Sequence, residues 1–104
     1  MRVMISQPMG GKTEEQIRTE RAKVVKLLEE HGHDVIDTVI PNLGNHGNVP
    51  LKYLAKSIEF MADADVVFFM DGWEHARGCR IEHQCCIDYD VRIWVKTPPP
   101  KHMQ

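Results

Sequence analysis

Glu82 is the residue of this chain best placed to do chemistry. It belongs to a polar segment, Asp71-Gly72-Trp73-Glu74-His75-Ala76-Arg77-Gly78-Cys79-Arg80-Ile81-Glu82-His83-Gln84, that follows the apolar, partly β-branched run Asp65 to Met70 and leads into a helical pattern. A short apolar run of that kind reads as a strand buried on both faces, and ligands in open α/β sheets sit at the carboxyl ends of such strands, beside helix N-termini. With a helix starting near Arg77 or Gly78, Glu82 falls in its first or second turn. It shares a side there with Gly78, Cys85, Cys86 and Tyr89, a face mostly apolar or small. Burial raises the pKa of such a carboxylate, while the helix dipole and Arg77 or Arg80 lower it, and opposed influences of this kind mark functional carboxyl groups. The competing reading is a surface glutamate paired with Arg80 or capping the helix.

The segment from Ser6 to Thr13 is the second candidate. Gly11-Lys12-Thr13 has the ending of a phosphate-binding P-loop, but that motif requires glycine where Ser6 stands, which argues against a nucleoside triphosphatase. A looser reading survives: Gly10 and Gly11 expose backbone N–H groups beside a helix start, so a phosphate or a ribose could dock there. A plain strand-to-helix turn is the alternative. Trp73, directly after Asp71 and Gly72, is either a platform for a base or a packing residue over the sheet edge or a partner subunit. His75, Cys79, His83 and Cys86 raise the question of zinc, but their spacing matches no paired-ligand knuckle, and no metal or other cofactor is expected. Cys79 paired with His75 or His83 lacks a third, orienting group.

The elements that must hold these residues alternate. Arg2 to Ser6 reads as a strand. A helix follows from about Thr13 to His31, opened by the capping-box spacing Thr13-Glu14-Glu15-Gln16 and closed by Gly32, with Ile17, Arg21, Val24, Val25 and Leu28 on one face. Val35 to Val39 reads as a second strand and Pro41 to Pro50 as a loop rich in turn formers, long enough to be functional. A second helix spans Leu51 to Ala62, with Leu51, Leu54, Ala55, Ile58 and Met61 apolar. Strand three is Asp65 to Met70, helix three Arg77 to Tyr89 and strand four Val91 to Val95. This pattern predicts a small doubly wound, flavodoxin- or Rossmann-like domain over residues 1–96: a four-stranded parallel sheet of order 2-1-3-4 with helices on both faces. Its switch point lies between the loop after Ser6 and the segment after Asp71. The proline-rich stretch 97–104 reads as an extended tail.

Composition narrows the partners. A net charge of −2 over 104 residues leaves no basic footprint for long nucleic acid or for an anionic membrane. No apolar run approaches the roughly 20 residues of a membrane span, and Met1-Arg2 leads straight into a strand without a signal-peptide pattern, so a cytoplasmic protein is expected. Three cysteines, two of them adjacent, make no disulfide framework and read as small buried hydrophobes. The chain is short for an enzyme that must enclose a substrate alone, so a homodimer or a higher homo-oligomer is expected.

Strand-Ser-x-Pro-x-Gly-Gly at the N-terminus, Ala64-Asp65-Val66-Val67, Asp71-Gly72-Trp73, Arg77-Gly78-Cys79 and Ile81-Glu82-His83 together resemble the nucleoside 2-deoxyribosyltransferase-like superfamily, above all its small phage and bacterial branch. The likeness runs from about Arg2 to Val95 and is most specific from Gly78 to Glu82. It implies that Glu82 attacks or stabilises the anomeric carbon of a sugar, and that Ser6, Gly10 and Gly11 hold the sugar or a 5′-phosphate. The characterised members also carry aspartates near the positions of Ser57 and Ala76, which this chain lacks. Two functions are therefore expected to compete. One is cleavage or transfer at the N-glycosidic bond of a small nucleoside or nucleotide, with Glu82 as nucleophile or electrostatic stabiliser, Arg77 and Arg80 as phosphate or carboxylate partners, Trp73 as a base platform, and Asp71, Gly72 and Gly78 lining the site. The other is binding of a nucleotide, or a nucleotide-derived signal, without turnover. A structural protein that needs no pocket, relying on the tail and Trp94, is the third reading.

Overall fold

A computed structural model describes residues 1–38 and 42–95. Val39 of the expected second strand, Pro41 at the head of the expected loop and the tail from Thr97 lie outside them. The elements are β1 (Arg2–Ser6), α1 (Glu14–Glu30), β2 (Asp34–Val35), α2 (Val49–Met61), β3 (Val66–Phe69), a single 3-10 turn (Trp73–His75), α3 (Arg77–Asp88) and β4 (Arg92–Val95). The four strands form one parallel sheet in the order β2-β1-β3-β4, as the alternation of strand and helix predicts.

β1 and β3 occupy the middle of the sheet, which is why both read as unbroken apolar runs. Their side chains alternate between two cores. Val3, Ile5, Val66, Phe68 and Met70 point to the face covered by α1, where Leu28 is buried and Val24 and Val25 are half-buried. Met4, Val67 and Phe69 point to the other face, closed by Met61 of α2 and Cys86 of α3. The period of two along the strands thus distributes three helices over two faces.

The ends of α1 follow the sequence. Thr13 Oγ1 accepts from Gln16 N at 3.1 Å and Gln16 Oε1 accepts from Thr13 N at 2.8 Å, a complete capping box, and Gly32 turns the chain at a φ of 84°. β2 is shorter than its β-branched composition suggests. Among the described residues only Asp34 and Val35 pair with β1 along the ladder, and Ile36 adds a hydrogen bond to Val3 O at 2.8 Å. α2 begins two residues earlier than expected, because Asn48 Oδ1 accepts from Leu51 N and Pro50, which needs no N–H partner, fits the first turn. Of the five residues on its apolar side only Met61 is buried. Leu51, Ala55 and Ile58 are exposed and Leu54 is half-buried. Among the described residues, no helix is long and apolar enough to cross a membrane.

Candidate functional site at the carboxyl edge of the sheet

The parallel ladder places Ser6 level with Phe69, and Met70 N donates to Ser6 O at 3.0 Å, so β1 and β3 end side by side. Beyond Met70 the chain must reverse. Gly72 does this at a φ of 91°, a conformation an L side chain would strain, and its α-carbon faces Pro8, whose Cγ would lie 3.7 Å from an added Cβ. The loops after the two central strands therefore pack on each other, which is the switch-point geometry the strand order requires.

α3 starts at this junction. Its turns present Cys79, Glu82 and Cys86 to the interior, all three buried. Cys85 is only half-buried and Tyr89 is 80% exposed, so the buried face centres one position away from the one expected. Glu82 is 7% exposed and Ser6 2% exposed. Burial pushes the Glu82 carboxyl up to about 7, and the Ser6 hydroxyl beside it pulls the other way. The two do not meet in hydrogen-bond geometry, however: Ser6 Oγ and Glu82 Oε2 are both buried without a hydrogen-bond partner among the described residues, as is Gln7 Oε1 on the adjoining residue. Burial also raises the thiol of Cys79, with Ser6 opposing and the Glu82 charge adding to the rise. The Cys86 thiol is pushed up to about 11, first by burial and then by Cys85 and Glu82. Both thiols are thus protonated near neutral pH, and Cys86 donates to the sulfur of Met61 at 3.9 Å in the packing role expected of a buried cysteine.

The N-termini of α1 and α3 differ in what they leave open. α1 satisfies its own first turn and carries Glu14 and Glu15 there, which repel an anion. Lys12 is paired with Glu20 at 2.7 Å, and Gly10 and Gly11 form an exposed turn. α3 has no side-chain cap at Ala76 and no acid in its first turn. A side chain at Gly78 would meet only open space, so the backbone there is approachable. Arg77 and Arg80 are exposed beside it, Arg80 Nη1 donating to Glu74 O at 3.2 Å. Asp71 is exposed at the end of β3.

Trp73 stacks on His83, with ring centroids 4.1 Å apart and planes 14° from parallel, and both rings lean on Phe69. One face of the indole is thereby used to hold the 3-10 turn against α3. In the sequence His83 is a candidate metal or thiol partner; a stack between residues ten apart on a turn and a helix leaves no periodic trace. Among the described residues, no group of three or more His, Cys, Asp or Glu side chains is placed to hold a metal ion. Two surface hollows lie along α1, one lined by residues from Arg18 to Glu30 and one by residues from Thr13 to Glu20, and neither includes Glu82.

The family model described as Domain of unknown function (DUF4406) matches residues 1–95. The chain belongs to the DUF4406 family. The match takes in all four strands and both loops at the switch point, so Ser6, Gly72 and Glu82 all lie within the DUF4406 domain. No curated protein and no solved structure matches the chain.

Proposed function

We propose that this DUF4406 protein acts on the N-glycosidic bond of a small nucleoside or nucleotide, with Glu82 as the group that meets the anomeric carbon. The observation that carries the reading is a buried carboxyl whose Oε2 has no hydrogen-bond partner among the described residues, at the junction of β1, β3 and α3, next to a serine hydroxyl equally without one. Leaving two such atoms unsatisfied costs stability, and a site that completes them with a ligand explains why they are there. The resemblance to the nucleoside 2-deoxyribosyltransferase-like superfamily from Gly78 to Glu82 supports the same assignment.

The chemistry follows from charge. As the bond from C1′ to the base breaks, its electron pair leaves with the base nitrogen, which takes a proton from water, and positive charge develops on the sugar. An ionised Glu82 stabilises that charge or forms an ester with C1′. Water or a second base then displaces the carboxylate, giving hydrolysis or transfer. Ser6 would hold the sugar. The uncapped start of α3, with Arg77, Gly78 and Arg80, would take a 5′-phosphate, in preference to the Gly10-Gly11 turn, because α1 has already satisfied and charged its own N-terminus. Asp71, Gly72 and the outer face of Trp73 would border the base.

One observation favours the second reading, a protein that binds such a ligand without turning it over. A carboxyl near 7 is half protonated at neutral pH, and a protonated Glu82 is a hydrogen-bond donor rather than a nucleophile. Ser57, half-buried in α2, and Ala76, at the start of α3, supply no acid for the leaving base. Incubation with a panel of deoxynucleosides and nucleoside monophosphates, with and without an acceptor base, separates the two. The expected outcome is release of free base, abolished in Glu82→Gln. A thermal shift without base release would reject catalysis in favour of binding, and no response to any ligand would reject both. If catalysis holds, the rate constant at low substrate should rise with pH and level off about one unit above 7, as Glu82 ionises.

A further inference from the structure

α2 is more apolar than its packing explains. Only Met61 of its thirteen residues is buried, while Leu51 is 57% and Ile58 37% exposed. At about 100° of rotation per residue, Leu51, Ala55, Ile58 and Ala62 fall within an arc of roughly 60° that points away from the core side marked by Phe60 and Met61. The charges of this stretch, Lys52, Lys56, Glu59 and Asp63, gather on one flank of that stripe. A helix that is apolar nearly all round, with its charges confined to one edge, has the pattern of an element covered on two sides.

We propose that the stripe is covered by α2 of a second copy, packed antiparallel about a two-fold axis close to residues 56 and 57. The spacing of the stripe is its own reverse, four residues, three, then four, so a two-fold operation brings Leu51 over Ala62 of the other copy and Ile58 over its Ala55. Each large side chain meets a small one, the condition for close approach of two helices. The same operation puts both charged flanks on one side of the seam, running in opposite directions. Each flank begins with two lysines and ends with two acids, so Glu59 of one copy falls between Lys52 and Lys56 of the other, and Asp63 falls beside Lys52. Parallel packing would instead set like charges level with each other. Among the described residues of the single chain, Lys56 pairs with Glu59 of its own helix, at 3.4 Å on the surface, and Lys52 donates to the backbone oxygen of His46; both contacts are exposed and exchangeable. A seam of four apolar side chains per copy is small, so the dimer is expected in the micromolar range.

Sedimentation velocity of the full chain between about 50 and 500 μM tests this. A dimer should form in that range. Ala55→Glu, which puts a charge at the seam, should weaken association by roughly a hundredfold. Glu59→Lys should weaken it as well, and adding Lys56→Glu to the same chain should recover part of the loss. If Ala55→Glu loses its helical circular dichroism, the charge exchange decides alone. A wild-type monomer at about 500 μM overturns the proposal. A folded Ala55→Glu dimer, or association indifferent to Glu59→Lys, also overturns it by placing the contact elsewhere.

Discussion

Glu82 is near neutrality because the fold removes water from one of its oxygens without supplying a full partner. The consequence for stability has a definite sign. The folded pKa, about 7, lies above the ordinary 4.5, so between these values the folded state binds more protons than the unfolded one, and stability falls as pH rises through the interval. Below about 4.5 the group is neutral in both states and costs nothing; above 7 the full cost is present. The difference in unfolding free energy between the wild type and Glu82→Gln isolates this one group from every other titration. From urea denaturation at pH 5 and pH 8, the wild type should lose on the order of 3 kcal/mol relative to the variant across that range. A parallel pH dependence of the two proteins would mean that Glu82 is solvated. The residue type and its approach to a helix N-terminus were readable from the sequence. Its burial was readable only as one of two alternatives, because the depth of a side chain depends on Ser6 and Cys79, brought together by strands sixty residues apart.

The elements themselves were legible for a simpler reason: periodicity and end signals act locally. The capping box of α1, the apolar runs of β1 and β3 and the alternation of strand and helix each leave a pattern within a few residues, and together they determine the sheet order. What failed to show were relations between elements. β2 has β-branched residues beyond Val35, yet pairs over two residues only, since an edge strand has a neighbour on one side to hold it. Trp73 suits a base and packing equally in the sequence; the stack on His83 makes it a clasp between the turn and α3. A double-mutant cycle measures that clasp. Trp73→Ala and His83→Ala should each destabilise, and the pair together should cost less than the sum by about 0.5 to 1.5 kcal/mol. Strictly additive losses would show that the two rings do not support each other.

At the scale of the whole molecule, one sheet face is closed by α1 and the other by α2 and α3, but α2 reaches the core mainly through its last turn, at Phe60 and Met61. The apolar positions of α2 are visible in the sequence as one side of a helix, and the pattern alone does not say what that side meets. A helix wheel does not say how many surfaces a wide apolar arc must meet; the sheet supplies one of them, and a second copy would supply the other. If it does, part of the stability of the fold belongs to association and depends on concentration. Once the protein is above its dissociation constant, each tenfold increase in concentration stabilises the folded chain by about 0.7 kcal/mol, half of the tenfold factor per dimer. For a domain of this size that raises the melting temperature by roughly 3 to 5 °C. Calorimetry between about 50 and 500 μM should show this rise in the wild type and a constant melting temperature in Ala55→Glu. The variant should also melt close to the temperature the wild type approaches on dilution, because Ala55 is exposed in the single chain. A melting temperature independent of concentration in both proteins would leave the α2 stripe without a thermodynamic role and return it to solvent.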